Sequence, residues 1–169
     1  NEVHNPYLFD FMNSIDEKFL IVNRDNPSST GIMDIMKYLN YIQYIFFHWP
    51  ENMLDRKFGY FQFLFLKLLM PFLKRRNIKI VYILHNKISH SNKKLREKVS
   101  LFTFLSGNSN IIITHAKDGI EFLQKSAKET KANIFFFPHP VKKENSIPEI
   151  KTKSIDILIW GSIAPYKGI

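Results

Sequence analysis

Five short apolar runs punctuate the chain. Tyr44-Ile45-Phe46-Phe47, Val81-Tyr82-Ile83-Leu84, Ile111-Ile112-Ile113-Thr114 and Phe135-Phe136-Phe137-Pro138 lead straight into His48, His85, His115 and His139, whereas Ile157-Leu158-Ile159-Trp160 leads into Gly161. Runs of this length, β-branched and aromatic with no polar alternation, predict strands of a parallel sheet buried on both faces. The longer stretches between them carry apolar residues at helical spacing. Strand and helix alternating in this way predict an α/β fold, a Rossmann-like doubly wound parallel sheet built of right-handed βαβ units. Ligands of such sheets bind beyond the carboxyl ends of the strands, which would line the four imidazoles along one rim.

The remaining elements follow from local signals. Pro6 opens an amphipathic helix carrying Tyr7, Leu8, Phe9, Phe11, Met12 and Ile15. Residues 19–23 are a short strand candidate, and Asp25-Asn26-Pro27-Ser28-Ser29 is a loop by its turn residues. Thr30 is placed to cap a helix bearing Ile32, Ile35, Met36 and Leu39. Residues 53–76 are too apolar to be fully solvated. A membrane-spanning helix needs roughly 20 predominantly apolar residues, and Gln62, Lys67 and Pro71 interrupt this stretch. It reads as a helix packed on the sheet, or as a membrane-facing surface helix with Lys74, Arg75 and Arg76 as its basic collar. Helices are expected over 93–105, ending near Gly107, and over 117–128 with Ile120, Phe122 and Leu123 on the apolar side. Residues 138–153 lack periodicity and form the expected linker. The division is therefore 1–150 as one domain and 151–169 as the linker's end with the first strand and loop of a second.

Composition narrows the partners. With 45% hydrophobic and 23% charged residues the chain is an ordinary folded protein, not a disordered one. A net charge of +9 favours an anionic partner: a phosphate-bearing substrate, a nucleic acid or an anionic membrane surface. A nucleic-acid module is disfavoured, since its aromatics lie in core-like runs instead of alternating with Lys and Arg on a polar face. No cysteine is present, so neither disulfides nor thiolate metal sites enter. The first residue is Asn1 and no signal-peptide pattern follows, so the start reads as an internal boundary.

Three groups carry candidate chemistry. Each strand-end histidine either caps its strand by bonding loop backbone or faces a hydroxylated or phosphorylated ligand in the crevice. A metal-dependent hydrolase is the rival enzyme, but no His-Glu-x-x-His spacing or close histidine pair supports a metal site. His85 is the favoured residue, because it ends a central strand and Asn86 opens a polar loop after it. His48-Trp49-Pro50-Glu51 brings an imidazole, an aromatic plate and a carboxylate together, as a carbohydrate site requires. Alternatively Trp49 plugs the core and Glu51 caps the following helix. Last, Gly161, Lys167 and Gly168 allow close backbone approach and supply a cation, which suits phosphate binding, although neither a dinucleotide fingerprint nor a P-loop is present.

Taken in order, Asn5-Pro6-Tyr7, His48-Trp49-Pro50-Glu51, Leu84-His85-Asn86, Ile113-Thr114-His115, Phe137-Pro138-His139-Pro140 and the segment from Trp160 through Gly161-Ser162-Ile163-Ala164-Pro165-Tyr166-Lys167-Gly168 resemble the group 1, family four-like glycosyltransferases of GT-B fold. The nearest in style are bacterial transferases that build surface polysaccharides. The resemblance implies two facing Rossmann domains, with the acceptor on the N-terminal one and the nucleotide-sugar donor on the C-terminal one. On it, His85 faces the transferred sugar as a catalytic residue, His48, Trp49, Glu51, Asn86 and His115 serve the acceptor side, and Gly161 and Lys167 approach the donor phosphates. Thr114-His115 replaces the family's usual serine. No metal or other cofactor is implied, the nucleotide-sugar being a co-substrate. The partners implied are the donor and a glycan or lipid-linked acceptor at a membrane surface. The family's first strand and its paired glutamates are not seen in the sequence, so the chain by itself is expected to be inactive.

Overall fold

The computed structural model describes residues 6–25, 28, 30–86, 93–127 and 130–139. Gly161 and Lys167, the linker, and the strand expected after it lie outside these residues, as does the proposed domain boundary. The described elements are α1 (Pro6–Ile15), α2 (Gly31–Tyr38), β1 (Tyr44–His48), α3 (Glu51–Asp55), α4 (Gly59–Arg75), β2 (Lys79–Leu84), α5 (Leu95–Asn108), β3 (Ile111–Thr114), α6 (Lys117–Ser126) and β4 (Asn133–Phe136). The strands pair in parallel in the order β1-β2-β3-β4. The molecule is thus α/β, a four-stranded parallel sheet flanked by helices.

Alternation along the strands assigns the two faces. Ile45, Ile80, Tyr82, Leu84 and Ile112 share one buried cluster with Ile32 and Ile35 of α2, Leu54 of α3, Phe63, Leu66, Met70 and Leu73 of α4, Leu101 and Leu105 of α5, and Leu123 of α6. Five helices therefore cover this face. Residues of opposite parity turn to the other side, where Phe11 of α1 meets Phe46 with ring centroids 5.5 Å apart, and Phe19 meets Tyr44 at 5.3 Å. Val81 and Ile83 are also buried on this second face.

Full burial on both faces holds for β2 alone. Tyr44 on β1 and Phe135 on β4 are exposed, since both strands are edges of the described sheet and α1 leans on the β1 side. Other expectations shift for local reasons. Residues 19–23 form no strand, because the Phe19 amide donates to Ile15 O and closes α1 instead of entering a ladder. Thr30 stands at the N-cap of α2, but its hydroxyl makes no cap bond. Nearby, the Asp34 carboxylate accepts from the Ser28 amide at 3.0 Å. Helix α5 continues through Gly107 and stops at Ser109, whose amide and hydroxyl both bond Leu105 O, at 2.9 and 2.7 Å.

The apolar stretch after β1 splits into α3 and α4 at a left-handed Phe58, with φ of 74°. Gly59 follows where a β-carbon would collide with Met53 O and the Leu54 backbone, so only glycine lets α4 start against α3. Lys98 of α5 ties this corner down: it is buried, and its ammonium lies 2.9 Å from the Asp55 carboxylate. Among the described residues no helix is long and apolar enough to cross a membrane.

Candidate functional site

Sheet register explains how residues from four strands converge. β1 pairs with β2 so that His48 lies opposite Ile83, β2 with β3 so that Leu84 lies opposite Thr114, and β3 with β4 so that Thr114 lies opposite Phe136. Carried past the strand ends, these registers give His48, His85, His115 and His139 one parity, that of the face covered by α1. Because the strands are in sequence order, the imidazoles follow one another along the carboxyl rim. Their centroids are 5.6 Å apart for His48 and His85, 5.3 Å for His85 and His115, and 4.3 Å for His115 and His139. The pitch is that of neighbouring strands, about 4.8 Å.

Tyr7, the second residue of α1, is the hub. Its ring lies 5.9, 4.9, 5.3 and 5.3 Å from those of His48, His85, His115 and His139 and 5.5 Å from Trp49. Phe11, four residues on along the same helix face, stacks on Tyr7 and meets His48 at 4.7 Å. Asn5-Pro6-Tyr7 stood among the motifs in the sequence, but no site role fell to Tyr7, since nothing local links α1 to strand ends as much as 132 residues away. Its place four residues before Phe11 was the available signal.

Hydrogen bonding fixes one tautomer. His115 Nδ1 is 2.7 Å from Phe137 O, a carbonyl that only accepts, so Nδ1 carries the proton. Nε2 is then the acceptor, and the Tyr7 hydroxyl, 2.7 Å away, donates to it. His48 Nδ1 and His85 Nε2 are hydrogen-bonded across 3.3 Å, one ring donating to the other according to tautomer. His48 Nε2 is buried with no hydrogen-bond partner among the described residues.

Burial keeps the inner imidazoles neutral. It lowers the His48 pKa to about 4, helped by His115. Burial again, followed by His48, His115 and His139, brings His85 down to about 3. His139 is lowered in the same way but stays exposed, while burial raises the Tyr7 hydroxyl to about 12. The cluster is therefore closed at His48 and open at His139, with donors and acceptors, His48 and His85 uncharged among them, on an aromatic floor. A base this weak is a poor proton acceptor at neutral pH but a good hydrogen-bonding group for hydroxyls.

Trp49 completes the floor. Its backbone is left-handed, with φ of 44°, a costly conformation for a bulky residue. This kink turns the indole back over His85, stacked at 3.9 Å and 13°. Trp49 thus belongs to the rim and is not a core plug. Glu51 opens α3, and its charge helps raise the pKa of Tyr82, whose side chain lies in the cluster on the helix-covered face. Asn86 follows His85 and is half-buried. The structure thus gathers His48, Trp49, His85 and His115, and adds Tyr7 and His139 to them. Among the described residues no group of three histidine or acidic side chains is arranged to hold a metal ion.

No protein-family model matches the chain, and neither a curated protein nor a solved structure does.

Proposed function

We propose that the chain is the acceptor-side part of a GT-B glycosyltransferase that moves a sugar from a nucleotide-sugar to a hydroxyl of a glycan or lipid-linked acceptor in surface polysaccharide synthesis, working in the cytoplasm at the membrane's inner face. The supporting observation is the His-Tyr-Trp surface on the carboxyl rim of a parallel sheet, where ligands of α/β sheets bind. Polyhydroxylated ligands are recognised by this combination of flat aromatic faces and groups that both donate and accept. The four strands advance in one direction, as one half of a doubly wound sheet does.

In this reading His85 meets a hydroxyl of the transferred sugar as a neutral hydrogen-bonding group, its orientation held by Trp49 and His48. The acceptor enters from the open His139 and His115 side, with Asn86 and Glu51 at the margins. Gly161 and Lys167 serve the donor diphosphate, where transfer demands stabilisation of the leaving group's charge.

The test is thermal stabilisation by a panel of glycan acceptors and nucleotide-sugars. An acceptor is expected to raise the melting temperature in proportion to the logarithm of its concentration, and His85→Ala to abolish that rise. A panel in which no glycan stabilises the wild-type chain would overturn the reading.

A further inference from the structure

Helix α4 is apolar on both sides. Phe63, Leu66, Leu69, Met70 and Leu73 are buried, while Tyr60, Phe61, Leu64, Leu68 and Phe72 are between 44% and 72% exposed. The exposed positions recur at three- and four-residue intervals, so they form one continuous stripe along the helix. Phe58, also exposed, extends it beyond the first turn. Scattered exposed apolar residues need no explanation; a contiguous stripe marks an interaction surface.

The charged residues of α4 have one sign. Helix α4 contains no Asp or Glu, and Lys57, Lys67, Lys74, Arg75 and Arg76 lie on or beside it. The Lys67 ammonium is 4.3 Å from the Phe63 ring centre, Lys57 is 5.4 Å from Phe58, and the Arg76 guanidinium is 5.7 Å from Phe72. Lys57 and Arg76 are thus held against exposed aromatics at the two ends of the stripe, whereas Lys67 folds onto buried Phe63; such long basic side chains can extend to charged headgroups while the exposed rings enter the acyl boundary.

We infer that this face of α4 docks the protein on an anionic lipid bilayer, the helix lying in the interface plane with Phe61, Leu64, Leu68 and Phe72 inserted. Charge complementarity selects this occupant. A second copy would set one basic collar against another, and a nucleic acid would leave the apolar stripe without a matching surface. A bilayer with anionic headgroups satisfies both features, attracting the Lys and Arg side chains near its surface while it takes up the apolar ones. The inference rests on the exposed face and is independent of the transfer reading, since the docking assay needs neither donor nor acceptor.

Flotation of the full 169-residue chain with vesicles tests it. Vesicles of phosphatidylcholine with phosphatidylglycerol should carry the protein up the gradient, pure phosphatidylcholine vesicles much less, and raised salt should release it. The double variant Phe61→Glu with Leu68→Glu should lower the partition coefficient at least tenfold, and Lys74, Arg75 and Arg76→Ala should lower it to a similar degree. Both substitutions are on exposed positions, and circular dichroism verifies that the variants remain folded. No flotation with anionic vesicles, or flotation unchanged by both variants, would overturn the inference. So would light scattering that shows a dimer broken by Phe61→Glu while vesicle binding persists.

Discussion

The phenol of Tyr7 meets all four imidazoles on the rim, and its hydroxyl and its ring are separable. Tyr7→Phe keeps the ring among the histidines and deletes the donor to His115 Nε2. The loss should cost about 0.5–1.5 kcal/mol in urea unfolding, the usual value of one hydrogen bond. Tyr7→Ala removes the hub's packing too, and should cost about 3 kcal/mol or more, as for buried aromatics. Equal costs for the two variants would mean the ring does not pack as described. At this scale the strand-end histidines were legible because each closes an apolar run that can be seen locally. Their line along one rim was expected too, whereas their contact with one another on a single face around Tyr7 was not. That contact depends on registers that give residues 48, 85, 115 and 139 one parity, and on a partner 108 residues away from His115.

Glycines show how one element seats on another. Gly119 lies in the first turn of α6, and a β-carbon there would run into the side chain of Thr114 at the end of β3. Thr114 is buried and bonds locally to Ala116, so it has no room to retreat. Gly119→Ala is therefore expected to destabilise by about 1–3 kcal/mol, the usual cost of overpacking, despite alanine's better helix propensity. Adding Thr114→Ala removes the hydroxyl and methyl that clash and should restore part of the loss, a coupling that a double-mutant cycle in urea unfolding measures. Additive costs would refute the contact. Element types were legible from periodicity, and most helices begin and end within a few residues of expectation. The α2 start fell at Thr30 as expected, though without a cap bond from its hydroxyl, and the departures elsewhere trace to interactions outside the period: Ser109 closing α5 beyond a glycine that looked like a stop, and Phe19 turning back on α1. For α4 the sequence left two readings, packed helix and membrane-facing helix. The structure shows a packed face on one side and an exposed apolar stripe on the other, the second needing the fold before it could be seen.

For the molecule as a whole, the rim makes stability depend on pH. His48 and His85 are held to about 4 and about 3 in the folded chain, mainly by burial, against an ordinary histidine value of about 6.5 when unfolded. Between these values the unfolded chain binds protons that the folded chain refuses. The sign follows: the contribution is fully present above about pH 6.5 and is lost as pH falls toward 4. His48 alone should lower stability by about 1.4 kcal/mol per pH unit near pH 5, or about 2 kcal/mol between pH 7 and pH 5. His85 adds a smaller share, because it is more open to solvent and its charge is screened. Urea unfolding at pH 7, 6 and 5 measures the slope, and His48→Asn separates it from the titration of carboxylates elsewhere. The variant should flatten the pH 6 to pH 5 segment by about 1.4 kcal/mol per unit, whatever its stability at pH 7. An identical slope in the two proteins would mean that His48 is not buried beneath Tyr7 and Phe11, and the closed end of the rim would open with it.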